Sequence, residues 1–296
     1  MVSLSKNRPF TNTFPVYSTG PLAYNRAVMF SFEPKLPHLM PAHFGPRPVG
    51  RATGHYRDVT SIIITYLTDE KKLAAWLPPP FRLAAEPLLT VVYAMNRQID
   101  WLAGRCYNLI EANAAVVFEG QVDRLEGFYS LVLWENLTDP ILTGRELQGM
   151  PKIYADIPDA TETAGQWSVV ASHFGHPIVE LTLGNLTELT AAQIAAGKQA
   201  MEGKNHWMGW RYLPEVGGRG TALSQFTVFP IEQVTKAAWL GQGQVAWQTA
   251  TWQQNPTQCH IVNALAGLPI LEYRLALLSQ GSSNLYLPHN PPRVLR

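Results

Sequence analysis

Runs of β-branched and aromatic residues recur along this chain far more often than helical patterns do, and they limit the folds open to it. Ser61 to Leu67, Leu88 to Asn96, Tyr107 to Phe118, Phe128 to Glu135, Trp167 to Phe174, Ile178 to Leu183 and Thr221 to Phe229 each read as strands. Only two helices stand out. Thr68-Asp69-Glu70 supplies a capping residue and first-turn acids, with Leu73, Trp76 and Leu77 on one face before Pro78-Pro79-Pro80 stops the segment. Thr190 with Gln193 makes a capping box for a second helix that runs through Lys198 and ends by Gly203. Many strands without strict alternation of strand and helix predict a mainly β (α+β) chain whose antiparallel sheet curves or closes.

Composition narrows the function. Charged residues are 15% and apolar residues 46% of the 296, which suits a large core and a buried surface between subunits. Net charge is +1 with no run of five like charges, so no nucleic-acid footprint is visible. The apolar runs are too short to span a membrane, the first thirty residues lack a signal-peptide core, and two cysteines make no disulfide framework. A cytoplasmic protein is the default expectation. Residues 1–50 hold 8 of the 23 prolines with aromatic residues between them. They read as an extended arm, expected to lie along the domain of residues 51–296 or on a neighbouring subunit of a homo-oligomer.

The chemistry centres on Gly144-Arg145-Glu146-Leu147-Gln148-Gly149-Met150-Pro151-Lys152. One lysine follows a proline in apolar company, and Ile153 and Tyr154 place no second cation beside it. Desolvation disfavours the charged form of an amine, and a neutral amine attacks carbonyls to form an imine. A surface lysine after a turn is the plain alternative.

This Gly-Arg-Glu-x-x-Gly-x-Pro-Lys run resembles the lysine signature of the acetoacetate decarboxylase superfamily. Further segments follow in that family's order: His55-Tyr56-Arg57, Val92-Tyr93-Ala94-Met95, Tyr107 to Glu111, Trp210-Arg211-Tyr212-Leu213-Pro214, Ala238-Trp239-Leu240-Gly241 and Ala264-Leu265-Ala266-Gly267-Leu268-Pro269. The resemblance implies a conical antiparallel β-barrel with flanking helices and the lysine inside it. It implies catalytic roles for Lys152 as the imine-forming amine, for Glu111 as a carboxylate facing that amine, and for Arg57 as a guanidinium paired with Glu111 or with substrate. Gln148, four residues before the lysine, is a candidate donor to a substrate carboxylate. Tyr273 and Tyr286 could offer phenols to the cavity or simply belong to the core.

The departures from the family matter. The decarboxylases carry a second lysine where Ile153 stands and a further acid near Val91. Both absences weaken the case for expelling carbon dioxide. The reading is therefore a lyase that condenses a 2-oxo acid such as pyruvate with an aldehyde and then dehydrates the adduct. Decarboxylation of acetoacetate or a related 3-oxo acid is the alternative, and a lysine at 153 should then raise it. A non-catalytic barrel holding an apolar ligand is a third reading. No cofactor is expected: His173, His176 and Glu180 have the wrong strand spacing for a metal, and Gly241-Gln242-Gly243 lacks the third glycine of a dinucleotide loop.

Overall fold

A computed structural model describes residues 38–45, 54–285, 287 and 290–296. Residues 38–45 are described by themselves and contain one 3-10 turn, Ala42–Phe44. The rest of the proline-spaced arm, with its expected packing on a neighbouring subunit, and Tyr286 lie outside the described residues.

From residue 54 onward the described residues form fourteen strands. These are β1 (His55–Leu67), β2 (Phe81–Leu83), β3 (Leu88–Ile99), β4 (Arg105–Glu119), β5 (Arg124–Glu135), β6 (Lys152–Tyr154) and β7 (Thr161–Thr163). They continue with β8 (Gln166–His173), β9 (His176–Glu188), β10 (His206–Pro214), β11 (Thr221–Phe229), β12 (Glu232–Trp247), β13 (Glu272–Asn284) and β14 (Arg293–Val294). Four helices accompany them: α1 (Glu70–Ala74), α2 (Thr138–Thr143), α3 (Ala191–Ala200) and α4 (Cys259–Ala266).

All fourteen strands belong to one sheet, in the order β14-β11-β10-β5-β4-β3-β1-β13-β12-β9-β8-β7, with β2 on β4 and β6 on β5. The mainly β architecture with few helices is as expected. The hydrogen-bonded path is open, and β5 pairs in parallel with both β10 and β6 in an otherwise antiparallel order. Among the described residues no helix is long and apolar enough to cross a membrane.

Strand alternation sorts side chains onto two faces. Ile62, Ile64 and Tyr66 of β1, Leu89, Val91 and Tyr93 of β3, and Ile110, Ala112, Ala114 and Val116 of β4 enter the main core. Each large aliphatic side chain buried there contributes about 1.5–3 kcal/mol. The intervening residues turn to the other face, where buried polar groups collect: Thr65 and Thr90 share a 2.9 Å hydrogen bond, and Glu111 and Asn113 follow on β4. That polar face carries the site.

Both predicted helices form, the first capped by Asp69 rather than by Thr68, whose hydroxyl donates to the Pro269 carbonyl at 2.7 Å. The Asp69 carboxylate accepts from the Lys72 amide at 2.8 Å. Thr190 and Gln193 exchange hydrogen bonds of 2.9 and 3.3 Å. α1 ends at Ala74, so Trp76 and Leu77 lie beyond it and still pack against the core. β10, β12 and β13 have no clean alternating signature, because Lys236, Gly241, Gly243 and the Ser279–Asn284 stretch interrupt the apolar pattern. Pairing defines them as strands: β12 and β13 with each other and with β9 and β1, and β10 with β11 and β5.

Candidate functional site

The chain leaves β5 at Glu135, turns through α2, and passes into a π-helical turn at Gly144–Gln148 before Lys152 opens β6. Two glycines make this path possible. At Gly149 the backbone is left-handed (φ 77°), and a Cβ there would sit 2.8 Å from the Arg211 Cβ and the Thr227 Oγ1. At Gly144 a Cβ would lie 2.3 Å from Cδ and 2.4 Å from Cε of Lys152. The missing side chain is the channel through which the lysine stem runs. Arg145 Nη1 donates to the Lys152 carbonyl at 3.0 Å, bracing the turn against the strand it delivers.

Lys152 is buried, with 8% of its surface exposed. Its Nζ donates to Glu135 Oε1 at 2.8 Å and to the Pro140 carbonyl at 3.3 Å. A buried charge is tolerated when paired and hydrogen-bonded. The amine is therefore not the isolated group that a pure desolvation argument supposes. Glu135 itself has no exposed surface, its Oε2 has no hydrogen-bond partner, and burial pushes its carboxyl up while the Lys152 charge holds it back. Its charge also reaches Tyr107 and Tyr56, whose hydroxyls lie 3.1 Å apart. Burial pushes Tyr56 up to about 12 and Tyr107 up as well, so both remain phenols at neutral pH. Glu135 escaped the sequence reading, although a carboxylate closing the apolar run Phe128–Glu135 is the kind of buried charge that needs a partner.

Glu111 stands on the same face. It pairs across β4 and β5 with Leu133, which pairs across β5 and β6 with Lys152. Two strand spacings put its Cα roughly 10 Å from that of Lys152. Its Oε1 accepts from Ser130 Oγ at 2.7 Å and from Trp207 Nε1 at 3.0 Å. Burial raises its carboxyl to about 7, opposed by the hydrogen bonds of Ser130, Asn113 and Trp207 and by the Lys152 charge. The carboxylate in contact with the amine is thus Glu135, and Glu111 is a second acid held one row away. Ser130 and Trp207 were not legible as site residues, since their roles depend on strands meeting.

The other candidates distribute differently. Arg57 does not pair with Glu111. It is exposed and grips Asp100 with two hydrogen bonds of 2.7 Å, because β1 begins beside the 3-10 turn Asp100–Leu102. Gln148 closes the π turn half-buried, its main-chain carbonyl accepting from Thr227 Oγ1 at 2.7 Å. Tyr273 pairs with the core residue Tyr66, which places it on the opposite face of the sheet from Lys152. Its hydroxyl accepts from the Val245 amide at 3.1 Å. It lines a cleft of about 600 Å³ with Gln166, Thr182 and Gln244, a lining that includes neither Lys152 nor Glu111. Ile153 pairs with Trp134 and packs on the core, and Val91 is likewise a core residue. A lysine at 153 would therefore point away from Lys152, contrary to the idea that it would restore a second active-site amine.

Among the described residues no group of three or more His, Cys, Asp or Glu side chains is placed to hold a metal. What the polar face offers is one buried amine and two buried carboxylates, a set suited to covalent capture of a carbonyl with proton transfers on either side of it.

Known proteins carry the same framework. The acetoacetate decarboxylase 2 of Mesorhizobium japonicum is 28% identical over 266 residues, 87% of this chain and 92% of that protein. The acetoacetate decarboxylase of Ralstonia nicotianae is 27% identical over 230 residues, 74% and 81% of the two chains. The crystal structure of acetoacetate decarboxylase from Legionella pneumophila superposes with a TM-score of 0.65 at 19% identity, covering 82% of this chain and 86% of that one. The enduracididine biosynthesis enzyme MppR, complexed with pyruvate, gives 0.59 at 15% identity over 86% and 95%. The family model described as acetoacetate decarboxylase matches residues 39–279. That span takes in the lysine turn, both carboxylates and nearly the whole sheet that aligns them, so the chain belongs to the acetoacetate decarboxylase family.

Proposed function

We propose that this protein is an imine-forming lyase acting on a small oxo acid, with Lys152 as the nucleophile. The preferred reaction is aldol condensation and dehydration of a 2-oxo acid such as pyruvate with an aldehyde. The observation that carries this reading is the pair of buried carboxylates, Glu135 and Glu111, on the face of Lys152. Once a protonated imine exists, loss of carbon dioxide needs no base and is helped by an apolar hollow. Enamine formation by C–H removal needs a base, and loss of water from an aldol needs an acid. A wall bearing Glu111, Glu135, Asn113 and Ser130 matches the second demand and disfavours a purely apolar ligand.

Decarboxylation of acetoacetate is the second reading, supported by the names of the relatives in Mesorhizobium and Ralstonia. One experiment separates the two. Borohydride with pyruvate or acetoacetate should add one substrate mass to the peptide containing Lys152, and turnover assays then compare the two chemistries. Carbon dioxide release from acetoacetate at a typical enzyme rate, on the order of 10 per second, with no condensation of pyruvate across an aldehyde panel, would reverse the preference.

A further inference from the structure

The polar face holds two acids that are not equivalent. On Glu111, Oε1 is occupied by Ser130 and Trp207, and neither bond involves the amine. On Glu135, Oε1 touches Nζ at 2.8 Å while the buried Oε2 has no partner. A carboxylate kept only to neutralise a buried lysine is expected to have its remaining lone pairs satisfied, and an orphaned buried oxygen calls for an explanation. Gly144 adds a second constraint, since the stem of Lys152 is confined against it and the amine cannot swing freely from Glu135.

We infer that Glu135 is a catalytic residue, the acid–base partner that relays protons between the Lys152 amine and the oxygen of the oxo-acid ketone during imine formation. The inference rests on the imine reading above. The relay starts from ammonium and carboxylate. An Nζ–H proton passes to Glu135, and the freed lone pair forms the bond to the ketone carbon while the carbonyl π pair moves onto oxygen. Glu135 returns its proton to that oxygen, giving a carbinolamine still protonated on nitrogen. A second Nζ–H proton then passes to Glu135 and on to the hydroxyl, which leaves as water as the C=N bond forms. Nitrogen loses two hydrogens, both leave in the water, and Glu135 ends as the carboxylate it began as. The unpartnered Oε2 gives the relay a second oxygen from which to reach the substrate. The titratable groups facing Glu135 are Lys152 from β6, Tyr107 from β4 and Tyr56 from β1, with Glu111 farther along β4. The amine's hydrogen bonds go to Glu135 and to the Pro140 carbonyl, while Glu111 is held by Ser130 and Trp207, so Glu135 is the carboxylate in contact with it.

The test measures the rate of imine trapping by cyanoborohydride, with pyruvate and separately acetoacetate as probes, in the full-length wild type, Glu135→Gln and Glu135→Asp across pH. Circular dichroism checks folding. Glu135→Gln should slow labelling of Lys152 by roughly 10²–10⁴-fold near neutral pH, with a rate that climbs steeply with pH as hydroxide replaces the lost base. Glu135→Asp, which keeps the carboxylate one methylene short, should be slowed less and keep the wild-type pH profile. If Glu135→Gln does not fold, Glu135→Asp decides, and a wild-type rate in it overturns the inference. Trapping in a folded Glu135→Gln at the wild-type rate and profile overturns it too, while leaving Lys152 as the nucleophile. A wild type unlabelled at Lys152 by either probe refutes the imine reading itself.

Discussion

Gly144→Ala isolates the geometry of the lysine from everything else in the site. Gly144 has ordinary right-handed helical dihedrals, so alanine brings no backbone strain and by intrinsic propensity should stabilise the turn by up to about 1 kcal/mol. The structure reverses that sign. The new Cβ would meet Lys152 Cδ at 2.3 Å and Nζ at 2.9 Å, so the stem must move by roughly 1.2–1.7 Å to regain carbon–carbon contact near 3.5–4.0 Å. Nζ then loses its 2.8 Å bond to Glu135, leaving a fully buried carboxylate unpaired. Breaking a buried pair from one side costs about 3–5 kcal/mol. Against the propensity gain, the net loss is about 2–4 kcal/mol, or roughly 4–16 °C in melting temperature for a domain of this size. Misplacing a reacting atom by about 1 Å should also slow imine trapping on the order of 10²-fold. Thermal unfolding followed by circular dichroism and mass-spectrometric trapping at Lys152 read the two effects. A Gly144→Ala protein that melts at or above the wild type and labels Lys152 at the wild-type rate would refute the packing argument.

Glu111, held at about 7 by burial, binds its proton more tightly folded than unfolded. Its contribution is therefore fully present below about pH 4.5 and lost as pH rises to about 7, a change of about 3 kcal/mol. Melting curves across this window should show a decline that Glu111→Gln shallows but does not abolish, since Glu135 is shifted in the same direction; an identical slope in the variant counts against the buried-acid assignment. Arg57→Ala should leave trapping at Lys152 within about twofold of the wild type, because its guanidinium is committed to Asp100 on the surface; a large loss would return Arg57 to the site. Ile153→Lys should lower the melting temperature without raising carbon dioxide release from acetoacetate, because residue 153 faces the core beside Trp134. A gain in decarboxylation would show that the strand can turn that side chain over.

What the chain's one-dimensional pattern determined was local and periodic. Alternating β-branched residues marked β1, β3, β4, β5, β8, β9 and β11, and capping oxygens at Asp69 and Thr190 started α1 and α3, because these signals act within a few residues. The run from Gly144 to Lys152 likewise singled out the amine, since its glycines and proline shape the turn that presents it. Tertiary structure decided the rest. Glu135 and Lys152 are 17 residues apart and meet only because β6 returns in parallel beside β5. Glu111 receives Trp207 from 96 residues away because β10 joins the edge of β5 opposite β4, in line with β6. Arg57 was drawn to Asp100, and Ile153 was turned to the core, by strand ends and pleat parity that no motif encodes. A carboxylate's chemistry depends on what shares its buried face, and that face exists only once the strands are in register.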